Sequence, residues 1–534
     1  MMVLWGQISP QLLQKIMSFM VDDLKLYDAD ILDTAHIQKL AGLGTNGAHP
    51  NNTWAELKRM LPTPKLPKLH YMWLPMKHNV LGRFWKHVPM LLPHELFSAI
   101  YTHYPLIWTK IVCPGQQTVS RFWKAVQGSE QFRQHPVRSR RNYDTLCIPL
   151  KLHGDGTPVT GLGKGWGKLV DIFSLTSMLV CCPTIMQHLL AFMIFQHLES
   201  WTDGHHTLRT FYRKLIWSFQ CLWEGKKPTK DWMGNAMVYA GAGDDLMGGH
   251  FMCLWALICD LEHCYKCYEM PNVNSNSPCG LCPCNTVGIP WFDFRPTAVW
   301  MTLVYTIQSY LAAGLRRSIL FDIVGVSVLS FYPDYMHCKH LGIDKILAGS
   351  VLFLLVHFIM QSTDPDENLA MLWQDISRLY GELGTAHRYG HMRQTMFTTK
   401  SAPKLQGKAA EIKDFGPVMV ELWKKYMNPR KTMHAQILII LEGSAHCDKI
   451  LAEHPSDFAL PPDAADDLIS TCFIYLSAWY DVSMHFKNDE VPLFGMTAKA
   501  HLLMHSCLLS RCHIEMIGPL YNTCVLSLGL TDPI

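Results

Sequence analysis

The sequence predicts an α/β protein in which a sheet-forming segment lies between helical ones. From residue 146 apolar stretches of strand length follow one another: LCIPLKLHG, then GKLVDIFSLTSMLV at 167–180, and later FMCLWALICD at 251–260. These are rich in β-compatible residues, whereas the chain on either side carries apolar residues at three- and four-residue spacing. The bulk numbers agree. The 534 residues are 49% hydrophobic and 17% charged, with 17 Trp, a globular composition able to build large cores.

The N-terminal region to residue 145 reads as helical. Ser9-Pro10 has the form of an N-cap followed by Pro at the first helical position, and the stretch before it lacks the basic segment and cleavage site of a secretory signal. Pro and Asn punctuate 46–67, which reads as a linker or surface loop. Residues 94–145 are again helical in pattern. Strand candidates then occupy 146–180, and TIMQHLLAFMIF at 184–195 suits either a strand or a buried helix. Leu208, Phe211, Tyr212, Leu215, Phe219 and Leu222 mark a helix over 205–225. The run at 251–260 reads as a fully buried strand ending on Asp260. ILAGSVLFLLVHFIM, 346–360, is shorter than the roughly 20 residues of a bilayer span and carries His357, so a buried helix is expected, with no membrane partner. Residues 360–490 read as mostly helical. The expected boundaries are 1–145, 146–262, 263–345 and 346–534.

With 47 Lys and Arg against 44 Asp and Glu, the net charge of +3 does not by itself mark a nucleic-acid binder. The most basic short stretch has four Arg between Arg133 and Arg141, and suits a solvated loop or a phosphate contact. Five of the 18 cysteines crowd into 264–284, a spacing that favours metal binding over disulfides.

Three groups of residues could carry chemistry. Asp155, in HGDGTP, and Asp260 each follow an apolar strand. Paired carboxylates at neighbouring strand ends are what two divalent cations about 3.5–4 Å apart require, although Gly-Asp-Gly is equally ordinary turn chemistry. Cys279 and Cys282 form a C-x-x-C with the look of a zinc knuckle. Cys264 and Cys267 form a second pair, whose alternative is that of small buried hydrophobes. In PDYMHCKH, Asp334 and His337 fall on one helix face, extended by His340. Asp334 suits an N-cap, and His337 suits either a ligand beside Cys279 and Cys282 or a substrate contact. GLGKGWGK at 161–168 fails both the dinucleotide and the P-loop pattern, and no G-x-S-x-G is present, so nucleotide binding and serine-hydrolase chemistry are not expected.

The blocks HGDGTPVTGLGKGWGKLVDIFSLTSML, CDLEH…SPCGLCPCN…PWFDF and PDYMHCKHLGIDKILAGSVL resemble the catalytic region of eukaryotic cut-and-paste DDE/D transposases of the CACTA and Kyakuja-Dileera-Zisupton kind. They are also similar to an abundant group of uncharacterised dinoflagellate proteins of transposase ancestry. The resemblance spans roughly residues 80–515 and is most specific at those blocks.

It implies an RNase H-like mixed sheet with a large, mainly helical insertion, following a helical N-terminal region. It also implies DNA as partner, Mg2+ or Mn2+ as cofactor, Zn2+ at the cysteines and a nuclear location. Carried over by position, Asp155 and Asp260 are the first and second cation ligands, and Cys279, Cys282 and Met336-His337 match the insertion's signature. The third acid is expected as a glutamate after a segment resembling KAHLLMHSCLLSRC, 499–512. Glu515 is the acid near that place, in surroundings that depart from the pattern, and Glu442 is another option. The implied function is cleavage and strand transfer of DNA phosphodiesters by two-metal chemistry in the ancestral form, degenerate in this chain. The alternative is a non-catalytic, zinc-containing scaffold that binds DNA or protein. An unrelated helical protein would not bring Asp155 and Asp260 together.

Overall fold

The computed structural model describes residues 9–26, 34–60, 65, 67, 69–158, 169–180, 187–398, 402–455 and 457–510. The chain divides into two compact units, Met1–Leu66 and Pro67–Ile534. The first is helical, with Pro10–Leu26, Thr34–Ala41 and Thr53–Met60 as its main helices. Ser9 Oγ accepts from the Leu12 backbone N–H (3.0 Å), the cap that Ser-Pro predicts. Helix Thr53–Met60 lies inside the stretch expected as a linker. Its Glu56 accepts from the Gly44 N–H at 2.7 Å, closing a small helical cluster.

The second unit opens on an antiparallel ribbon of β1 (His70–His78) and β2 (Gly82–Met90). A wholly helical N-terminal region is therefore not what forms. Met72, Leu74 and Met76 alternate inward on β1, and Phe84, Val88 and Met90 do so on β2, which is strand periodicity. Helices including Pro93–His103 and Gln116–Val126 follow.

Among the described residues the main sheet has five strands: β3 (Cys147–Pro158), β4 (Leu169–Ser177), β5 (Leu189–Phe195), β8 (Phe251–Cys259) and β9 (Phe331–Pro333). The short hairpin of β6 (Trp201–Thr202) and β7 (His205–His206) stands apart from it. The order across the sheet is β5-β4-β3-β8-β9. The first three strands form an antiparallel meander, while β8 runs parallel to β3 and β9 parallel to β8. Helix Thr207–Glu224 makes the crossover from the meander to β8. Every residue of β8 is buried, which is why its sequence is a continuous apolar run rather than an alternating one.

Two apolar cores fill this unit. One lies about the sheet and includes Trp123, Trp255, Phe173, Phe192 and Phe211. The other lies within the helices Tyr335–Ile359, Pro365–Glu382, Ala409–Tyr426, Thr432–Glu453, Pro462–His485 and Lys499–Leu509. Cys279, Cys282, Cys284 and Trp300 belong to this second core, so the cysteine segment packs as part of the helical body. Tyr335–Ile359 is long and apolar enough to cross a bilayer, but 67% of its most apolar window is buried inside the fold.

Candidate functional site

Asp155 lies within β3, not on a turn after it. The flanking glycines answer to packing. A Cβ added at Gly154 would overlap the ring of His263, and one at Gly156 would come within 3.1 Å of Gln196 Nε2. The parallel register pairs Gly154 with Cys259 and Cys259 with Pro333. The next residue on each of the three strands is an aspartate: Asp155, Asp260 and Asp334. Adjacent strands run about 4.8 Å apart, so the three aspartates form a row across β3 and the ends of β8 and β9, with Asp260 between the other two.

Each has a different local role. Asp260 caps helix Leu261–Lys266, its Oδ1 accepting from the His263 N–H at 2.6 Å. Asp334 caps the helix beginning at Tyr335, its Oδ1 accepting from Met336 N–H at 3.0 Å. Its other oxygen, Oδ2, bonds His337 Nδ1. Asp155 is half-buried, and its carboxyl is held above the usual range, first by burial and then by the charge of Asp260. Burial alone would lower His337. The bond from Asp334 and the charges of Asp334, Asp260 and Asp155 outweigh it, so the imidazole is held above its usual value. A histidine whose Nδ1 is fixed by a carboxylate keeps Nε2 for a cation or a substrate oxygen. On the same face of β3, His153 lies against His188, their rings 5.1 Å apart, and burial holds His188 at about 4.

The second grouping is tighter. Ligand atoms of Cys279, Cys282, His501 and His505 all lie within 4.8 Å of one another, and all four residues are buried. Cys282 Sγ is 3.2 Å from His501 Nε2 and 3.4 Å from His505 Nε2. His501 Nδ1 lies 3.1 Å from the Trp291 carbonyl, which fixes Nε2 as the ligating atom, and the Leu281 N–H points at Cys279 Sγ at 3.2 Å. Burial would raise the Cys279 thiol, but hydrogen bonds from Cys282 and Cys284 and the charge of His505 bring it well below the usual thiol value. Two thiols and two imidazoles in this arrangement can hold a metal ion.

This arrangement corrects one expectation and answers one question that the sequence leaves open. His337 is not a partner of Cys279 and Cys282 but belongs to the row of strand-end acids. The missing ligands are His501 and His505, whose i, i+4 spacing on helix Lys499–Leu509 is the H-x3-H half of a C-x2-C/H-x3-H pattern. Nor do Cys264 and Cys267 join them. Cys267 sits on the opposite face of the sheet from Asp155, its Sγ 3.7 Å from Asp171 Oδ2, with His263 Nδ1 3.5 Å from Asp171 Oδ1. Asp171, His263 and Cys267 form a further buried set of potential ligands, beside a cavity of about 560 Å³. The group His340, Asp344 and Asp448 already encloses a cation. Lys339 Nζ is 2.8 Å from both carboxylates, and Ser444 donates to Asp344 at 2.9 Å.

Glu515 lies outside the described residues, as does 161–168. Glu442 is on the exposed side of helix Thr432–Glu453, paired with Lys424 at 3.0 Å, and takes no part in the acid row. In the basic stretch, Arg133 pairs with Glu130, while Arg140 lies 3.8 Å over the Phe251 ring and bonds the Trp223 carbonyl, which makes it a packing residue. Compared with models of known protein families and with curated protein sequences, the chain matches none.

Proposed function

We propose that this chain is a transposase-derived protein whose mixed sheet is an RNase H-like core and whose strand-end carboxylates bind divalent cations on DNA phosphodiesters. The observation that carries the reading is the row of Asp155 and Asp260 on adjacent parallel strands, one residue past the registered pair of Gly154 and Cys259. An order of three antiparallel strands, a crossover helix and two parallel strands supports the same assignment. A pair of Mg2+ or Mn2+ ions would polarise the phosphate and lower the pKa of an attacking water. Asp155 and Asp260 supply the hard oxygen ligands such ions take. His337, oriented by Asp334, supplies a donor beside them. The Cys279/Cys282/His501/His505 group has the donor set of a closed structural Zn2+ site.

A degenerate active site is favoured by one observation. Asp334, the third acid of the row, is 3% exposed and already bonded to His337 and the Met336 N–H, so it offers no free carboxylate. The chain then retains cation and DNA binding while its strand cleavage is weak or lost. The test is Mn2+-dependent nicking of supercoiled DNA by the full chain, with Asp155→Asn and Asp260→Asn as controls. Weak nicking abolished by either substitution supports an active descendant. Absent nicking, with Mn2+ binding that either substitution removes, supports the degenerate form. Mn2+ binding that both variants retain overturns the assignment.

A further inference from the structure

We infer that the outward face of the β1–β2 ribbon is a binding surface for unpaired nucleotides. Between Pro67 and His94 the sequence has four Lys and Arg and four His, with no Asp or Glu. The ribbon's inward positions are apolar and enter the sheet core. The pleat therefore sends the odd-numbered residues outward, and these include Tyr71, Trp73 and Lys77 on β1 and Arg83, Trp85 and His87 on β2. Tyr71, Trp73 and Trp85 are 52%, 60% and 53% exposed, whereas Trp123, Trp255 and Trp423 are fully buried.

The rings form a platform. His87 stacks on Trp73 with centroids 5.0 Å apart and planes 23° from parallel, and lies 5.3 Å from Tyr71. Trp85 extends the platform toward the β6–β7 hairpin, edge-on to His205 at 5.5 Å. Successive outward positions on one strand are about 6.6 Å apart. Lys77 and Arg83 flank these rings on the same face, exposed and without an ion pair among the described residues.

The aliphatic side chains exposed near the ribbon, Leu69, Val80 and Leu81, stand at its two ends and not among the rings. Flat exposed π-faces interleaved with cations, and no acid among them, match a polyanion whose bases are free to stack. A paired duplex hides those base faces. The site therefore takes single-stranded nucleic acid or a locally opened duplex. The inference rests on the reading of the protein as a DNA-acting one for its biological setting, but the surface itself does not involve Asp155 or Asp260.

Fluorescence anisotropy of a labelled 15-mer oligodeoxythymidylate, with the full chain in magnesium-free buffer, tests it. Trp73→Ala/Trp85→Ala should weaken binding at least about tenfold, since each base–aromatic stack contributes on the order of 1–3 kcal/mol. Lys77→Ala/Arg83→Ala should lower the slope of log affinity against log salt by roughly 1.4. All four positions are exposed, so both variants should keep the wild-type melting temperature. An oligouridylate arm separates DNA from RNA as the source of the strand, and either result supports the surface. Asp155→Asn should bind the oligomer as wild type does. If it does but DNA nicking and cation binding fail their own test, the catalytic lineage falls and this surface stands. The inference is overturned if the tryptophan variant binds the 15-mer normally, if a fully paired 15-mer binds as tightly as the single strand, or if the ribbon substitutions abolish binding to phosphatidylserine vesicles while leaving the oligomer unaffected.

Discussion

Lys499 Nζ donates to the backbone carbonyl of His337 at 3.1 Å, joining the two candidate centres through one helix. Two residues along that helix is His501, and another turn on is His505, both against the Cys279/Cys282 knuckle. Ser506 Oγ on the same helix bonds the carbonyl of Pro333, the last residue of β9. Helix Lys499–Leu509 is thus clamped by the cysteines on one side while it braces the strand end that carries Asp334 and His337 on the other. A metal at the Cys/His group would therefore act on the acid row without touching it.

This coupling makes the first prediction. The purified chain should carry about one tightly held Zn2+, as a closed four-ligand site does. Cys279→Ser/Cys282→Ser should lose that ion. Because a structural site's binding energy is folding energy, the variant should also unfold at a clearly lower urea concentration. The acid row should in turn bind Mn2+ more weakly, although Asp155 and Asp260 are intact. Metal analysis with urea titration checks the first part, and Mn2+ titration the second. A metal-free wild-type chain of unchanged stability would leave the four residues as core packing.

The second prediction concerns Gly154. Its freedom from a side chain is needed because the His263 ring fills the space where a Cβ would go. His263 is also three residues past Asp260, whose carboxylate caps its N–H, and its ring packs on the face of the sheet over Gly154. Gly154→Ala should cost about 1–3 kcal/mol by overpacking. The double variant Gly154→Ala/His263→Ala should be less destabilised than the sum of its single changes, a coupling that urea midpoints would resolve. Additive effects would show that the two residues do not share that space.

These details mark where the sequence was legible and where it was not. The runs at β3, β4 and β8 announce themselves through length and composition, and the sheet forms where they fall. β9 is only Phe331–Pro333, too short to carry any period, so the third acid of the row reads from sequence only as the N-cap it also is. In the ribbon, the alternation of Met72, Leu74 and Met76 is present, but Pro75 and Pro89 argue against strands. They are tolerated because a two-stranded ribbon consists of edges alone. His501 lies 219 positions from Cys282, and only the fold of the helical body brings the two halves of the metal pattern together. Gly-Asp-Gly makes a turn at Asp155 as natural a reading as a strand end, whereas the glycines serve the packing on the opposite face of β3.

A third prediction follows from buried histidines in the sheet unit. His94, His135 and His188 are each pushed down to about 4, chiefly by burial. Each is neutral in the folded protein and takes up a proton on unfolding once the pH is below the ordinary value of 6.5. The stability that comes from keeping them neutral is complete above 6.5 and is lost as the pH falls toward 4. Three such groups give a slope of up to about 4 kcal/mol per pH unit in that window. Urea midpoints between pH 7 and 4.5 should fall steeply, and His135→Gln should make the fall shallower. A midpoint that stays level through that window would show that these rings do not govern acid unfolding.

The acid row should answer to pH in its own way. Asp155 and His337 are both held above their ordinary values, Asp155 first by burial and then by Asp260, His337 by its bond to Asp334 and the nearby carboxylates. In the cation-free protein the row therefore keeps protons that the isolated groups would already have lost. A divalent cation needs the carboxyl ionised and the imidazole neutral, so its binding must expel those protons. Mn2+ affinity should rise with pH by up to tenfold per unit for each proton released, and level off once the pH passes the raised value of His337. His337→Gln removes the neutral-range proton. Its Mn2+ affinity should be lower at high pH but nearly flat through neutrality, because the remaining titration of Asp155 starts from a carboxyl's ordinary range. Free Mn2+ measured by electron paramagnetic resonance from pH 5.5 to 8.5 gives both curves. A wild-type affinity that declines with rising pH, or a glutamine variant that keeps the full slope, would separate His337 from the cation site and leave it only the role of a capped surface histidine.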